Sequence, residues 1–121
     1  MEAAEIIEYL REQDLTVRAD GDYLELSPPE KITEELIQRV KKHKPAIITE
    51  LKREERRAKV FAILADDLKA PRAIIADMDS DPDNVILTIA IRNQYSFEMT
   101  IPKAKYNPFT WLELINKVVM Q

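Results

Sequence analysis

The sequence predicts an α+β chain of two small modules. The first is an N-terminal α-β-β-α-α unit. A long linking helix leads to the second, an antiparallel β-hairpin or three-stranded sheet packed on a helix. Three observations predict this. The only glycine, Gly21, sits between two stretches of period-two alternation, Leu15 with Val17 and Leu24 with Leu26, which is the signal of a β-hairpin. The flanking segments carry apolar residues at helical spacing. After Pro71 the period returns to two, with Val85, Leu87, Ile89 and Ile91, then Tyr95, Phe97, Met99 and Ile101.

The totals bound what the chain does. Its 121 residues suffice for one domain or two very small ones, and 45% hydrophobic with 33% charged residues is the balance of a folded chain. A net charge of −4 argues against wrapping nucleic acid through overall charge, while leaving room for a local basic patch. There is no cysteine, which removes disulfides, thiolate metal sites and thiol nucleophiles. No apolar run approaches the ~20 residues that span a bilayer. Residues 1–15 carry Glu2, Glu5 and Glu8 rather than a basic start and an apolar core, so no secretory leader is expected. The expected setting is cytoplasmic, away from membranes.

Taken in order, residues 3–13 form a helix with Ala3, Ile6, Ile7 and Leu10 on one face and glutamates on the other. Asp20-Gly21 is expected to be the centre of a type I′ turn, because both central positions of that turn need φ > 0. Ser27-Pro28-Pro29 stops the second strand, since proline donates nothing to a ladder. Thr33 caps the next helix, with Glu34 and Glu35 in its first turn and Ile32 and Ile37 at the spacing of a hydrophobic staple. That helix ends near His43, because Pro45 disfavours a helical Lys44. Pro45 opens a third helix with Ile47, Ile48 and Leu51 as its stripe, running to about Lys69 through the charge run Lys52 to Lys59.

These residues resemble the TubC-type N-terminal docking domain over about residues 3–55. The resemblance rests on Asp14-Leu15, the hairpin with Asp20-Gly21 and Leu24-x-Leu26, and the proline break. It continues through Ile32-Thr33-x-Glu35-Leu36, His43-Lys44, Ile47-Ile48 and Leu51. It implies an α-β-β-α-α fold that opens nonribosomal peptide synthetase subunits and receives a short C-terminal segment of the upstream subunit along its hairpin edge. Similar domains also open small proteins of mobile elements. One position departs: Asp14 stands where the family usually has glycine.

The modules are expected to divide at 57/58. Residues 1–57 form the interaction module. Residues 58–121 hold a helix at 58–70, strands at about 72–77, 85–92 and 95–101, and a helix at about 108–120 capped by Asn107. Tyr95, Phe97, Phe109 and Trp111 are most simply core aromatics.

The search for chemistry yields no reaction. Asp77, Asp79, Asp81 and Asp83 alternate like the opening of a calcium loop. Pro82 stands where that loop needs glycine, though, and Thr88 where it needs a bidentate glutamate, so a solvated connection is the better reading. His43, the only histidine, has no cysteine in the chain and no serine placed beside it, so a triad is unsupported, and it suits a helix C-terminus. One glycine cannot build a phosphate-cradling loop. The expectation is therefore a non-catalytic protein without cofactor or metal.

Its partner is a protein or peptide segment, with a second copy of the chain as the alternative. Arg18, Tyr23, Glu25, Lys31 and Lys44 are the candidate partner-binding residues. The second functional reading is a nucleic-acid-associated accessory protein of a mobile element, using Arg39, Lys41, Lys42, Arg53, Arg56 and Arg57. Against it, glutamates interleave that basic run, and no aromatic platform accompanies it.

Overall fold

A computed structural model describes residues 2–109. The expected C-terminal helix at about 108–120, with Trp111, lies almost wholly outside the described residues. The elements run α1 (Ala3–Glu12), β1 (Thr16–Asp20), β2 (Tyr23–Ser27), a 3-10 turn (Pro29–Lys31), α2 (Glu34–Lys42) and α3 (Lys44–Asp66). Then follow β3 (Arg72–Asp77), β4 (Asn84–Ile91), β5 (Ser96–Pro102) and a second 3-10 turn (Lys103–Lys105). The architecture is α+β, as the sequence predicts. The chain divides into two compact units, Met1–Glu55 and Arg56–Gln121, with the division falling inside α3.

In the first unit, α1 turns its apolar stripe inward, burying Ile6, Ile7 and Leu10. It ends in a Schellman motif. Leu15 N–H donates to the Leu10 carbonyl at 3.0 Å, and Asp14 N–H to the Arg11 carbonyl at 3.0 Å. This requires a left-handed residue between them, and Asp14 takes φ 63°. Leu15 is thereby turned into the core beside Leu10.

β1 and β2 pair antiparallel from Thr16↔Ser27 to Asp20↔Tyr23. The turn lies one residue later than the sequence suggests. Its central residues are Gly21 and Asp22, and only Gly21 has positive φ, 60°. Glycine first, with positive φ there alone, is the pattern of a type II′ turn rather than type I′. The Ser27–Pro28 peptide is cis.

Thr33 caps α2 as its side-chain type requires, its hydroxyl accepting from Leu36 N–H at 3.2 Å. α3 starts at Lys44, with Pro45 in its first turn, where a missing N–H costs nothing. Val40, Ile47 and Leu51 complete the core formed by α1 and the hairpin, with Leu24, Leu26, Ile32 and Leu36 at its rim. Arg11 of α1 also grips Glu54 of α3 at 2.8 and 3.3 Å, a two-pronged pair that holds the guanidinium firmly protonated.

In the second unit, β4 is the central strand, with β3 and β5 antiparallel on either side. Alternation sorts the side chains to two faces. Val85, Leu87, Ile89, Ile91 and Ile101 form one buried cluster, joined by Ile74, Phe97, Met99 and Tyr106. On the other face Ala73 and Ala90 receive Val60 and Leu64 of α3. Tyr95, expected in the core, is 55% exposed, and Phe109 is exposed as well, because both stand beyond the ends of the strands.

Candidate functional site

The hairpin of the first unit turns one face to the core and one outward. Alternation places Val17, Ala19, Leu24 and Leu26 against the core and turns Thr16, Arg18, Asp20, Tyr23, Glu25 and Ser27 outward. Arg18 and Glu25 are direct cross-strand partners on that outer face, as are Asp20 and Tyr23. Tyr23 is 74% exposed, large for an aromatic ring, and the Lys44 ammonium stands 5.5 Å from its centroid. Lys31 lies 3.8 Å from Asp14, an exposed and therefore weak pair. Of the five residues expected to bind a partner, Arg18, Tyr23 and Glu25 share the outward face of the hairpin, and Lys44, the first residue of α3, meets it at the Tyr23 ring. Lys31 stands at the foot of the hairpin, in the 3-10 turn.

The hairpin is a two-stranded sheet; among the described residues neither strand has a second neighbour. A two-residue turn makes Asp20↔Tyr23 the closing hydrogen-bonded pair, and such pairs alternate along an antiparallel ladder. Arg18↔Glu25 and Thr16↔Ser27 therefore exchange hydrogen bonds within the hairpin. The backbone N–H and C=O groups of Leu24 and Leu26 point away from β1 and line the outer edge of β2. Unpaired strand edges of this kind are templates for pairing with another chain.

The basic residues expected for nucleic acid differ in their surroundings. Lys41, Lys42, Arg53 and Arg57 are exposed. Arg39 is engaged locally, 3.6 Å from Glu35 and 5.7 Å from the Tyr9 ring. Arg57 stacks 5.7 Å over Phe61. Arg56 corrects the expectation of a surface charge: it is only 7% exposed. Its guanidinium donates to both Glu98 carboxylate oxygens at 2.8 and 3.1 Å and to Asp77 at 3.2 Å. Residues 1–55 carry nine basic against fourteen acidic side chains.

Two of the alternating aspartates, Asp77 and Asp81, have their carboxylates engaged in structure. One Asp77 oxygen accepts the N–H groups of Asp79 and Ser80, each at 3.0 Å, and the other accepts the Ser80 hydroxyl. Asp81 accepts the N–H groups of Asp83 and Asn84. These are two successive Asx turns, which is why aspartate recurs here. Burial pushes the Asp77 carboxyl upward. The Ser80 hydroxyl, the Ser80 and Asp79 N–H groups and Arg56 outweigh that and hold it at about 2. The N–H of Asp83, above all, keeps Asp81 below the usual carboxylate range.

Sequence reasoning missed Arg92. Its guanidinium reaches the carbonyls of Leu64 and Ala70, each at 2.7 Å, and that of Asp67 at 2.5 Å, closing the C-terminus of α3. An arginine at a strand end carries no local sign of this, because its partners lie more than twenty residues away.

Among the described residues no helix is long and apolar enough to cross a membrane, and no acidic or histidine cluster is arranged to hold a metal ion. No curated protein and no solved structure matches the chain. Residues 4–53 match the family model of the TubC N-terminal docking domain, the family that the first half of the sequence resembles, and this match supports a protein-interaction role for that part of the chain.

Proposed function

We propose that the chain is a non-catalytic docking protein that receives an extended segment of a partner along the outer edge of β2. The observation that carries this reading is a two-stranded sheet, inside the docking-domain match, whose β2 edge is lined by the unpaired backbone groups of Leu24 and Leu26. Addition there supplies two residues' worth of ladder bonds. Tyr23 and Glu25 stand beside it on the outward face. The helices gain nothing and lose nothing, since strand addition leaves the core of Ile6, Ile7, Leu10 and Ile47 in place. No nucleophile, acid–base pair or cofactor cradle enters this account.

A photo-crosslinking amino acid in place of Tyr23, introduced in the source cells, tests it. Irradiation is expected to trap a polypeptide at Tyr23 and not at a control position on α1 such as Glu8. Trapping at Glu8 but not at Tyr23 would move the docking surface to a helical face.

A further inference from the structure

This inference rests on the reading of β2 as the docking edge and concerns what that edge selects. We propose that the segment is an extended peptide running antiparallel to β2, with an apolar, a basic, an apolar and an acidic residue in consecutive order.

Each position follows from what it faces. Residues directly opposite in an antiparallel pair share a face and bring their Cβ atoms to about 5 Å. The residue opposite Leu26, and the one opposite Leu24, lie on the core side. Leu24 and Leu26 are themselves only half-buried there, as are Ile32 and Leu36 at the same rim, so apolar side chains gain burial. The residue between them lies opposite Glu25 on the outward face. Glu25 already has Arg18 on its other flank, and a second cation completes a row of alternating charge across three strands. The last residue lies opposite Tyr23. Asp20 occupies the far flank of Tyr23, and the Lys44 ammonium stands 5.5 Å from the ring centroid, so an acidic side chain set beside Tyr23 has a long, flexible cation within reach.

A second copy of the chain is a poor occupant. Two β2 strands paired about their centres set Glu25 against its own copy, and like charges directly opposed are destabilising. Sliding by two residues brings Pro28, which has no N–H, or the Gly21–Asp22 turn into the ladder.

The full-length protein is titrated into two labelled, end-blocked peptides of identical composition, Thr-Val-Lys-Val-Glu-Thr and Thr-Val-Glu-Val-Lys-Thr, and anisotropy is followed. The first is expected to bind about five- to twentyfold more tightly, the sum of one cross-strand charge pair with Glu25 and one pair with Lys44 of α3. The double variant Glu25→Lys, Lys44→Glu is expected to reverse the order. Replacing the Leu26 amide by an ester, which removes its N–H from the outer edge and makes the Glu25 carbonyl within the hairpin a weaker acceptor, is expected to weaken both peptides, with the fold checked by circular dichroism. Equal affinity for the two peptides, with the ester still weakening them, overturns the charge order while leaving the docking edge standing. Binding indifferent to the ester, or no binding of either peptide, removes the docking edge and this inference with it.

Discussion

At the scale of single residues, two positions demand left-handed backbone in the first unit, and the sequence meets them differently. Gly21 meets its demand at no steric cost. A Cβ there would find nothing within 4 Å, so any penalty for a substitution is conformational rather than a clash. Gly21→Val is therefore expected to destabilise the unit by about 1–3 kcal/mol, seen as a lower midpoint in urea. Asp14 meets the same demand with a side chain. Asp14→Gly relieves its φ of 63° while forfeiting only the long, exposed contact to Lys31. The expected result is a gain of about 0.5–1 kcal/mol and a higher melting temperature, the opposite sign to the usual effect of adding glycine. An unchanged or lower midpoint would mean that Asp14 stabilises the helix end in a way its geometry does not reveal.

At the scale of elements, the second unit is tied by two arginines acting at distance. Arg56 draws α3, β3 and β5 together through Asp77 and Glu98, and Thr88 of β4 donates to Glu98 at 2.7 Å. The folded state holds Asp77 at about 2, below its unfolded value of about 4, so the carboxylate's contribution is complete above pH 4 and is lost as pH falls towards 2. Allowing for partial exposure, this amounts to about 1–2 kcal/mol. Unfolding free energies measured between pH 5 and 2 are expected to fall less steeply in Asp77→Asn than in the parent. Arg92→Ala leaves the carbonyls at the end of α3 without their shared donor. A loss of about 2 kcal/mol is expected, with faster hydrogen exchange at Asp67 and Ala70, whose N–H groups close the last turn. The same distances explain what could be read beforehand. Thr33, the alternation around Gly21 and the strands around Leu87 and Phe97 were legible because their causes are local. The fates of Arg56, Arg92 and Asp77 were not. A charge run reads as solvated until strands some 20 to 40 residues away supply partners, and the turn shifted by one because Asp and Gly suit either frame.

At the scale of the whole molecule, each unit has its own buried cluster. The first closes around Ile6, Ile7, Leu10, Leu15, Val17, Val40, Ile47 and Leu51. A fragment of residues 1–57 is expected to fold unaided and give dispersed amide resonances, even though so short a chain without disulfide or metal stands near the lower limit for an independent core. Collapsed resonances would show that the units depend on each other to fold. The candidate site was legible to the extent that alternation alone puts Tyr23 and Glu25 outside. The stacking of Lys44 on Tyr23 was not, since it depends on where α3 begins. The brevity of β2 has a kinetic meaning. Five residues, of which two direct their backbone outward, can hold an added strand by only a few hydrogen bonds, each contributing about 1 kcal/mol net. A segment held that loosely leaves within milliseconds. Occupancy of such an edge depends on concentration: a segment tethered nearby at an effective millimolar concentration keeps the edge filled, and the same segment free in solution fills it only when supplied at a comparable concentration.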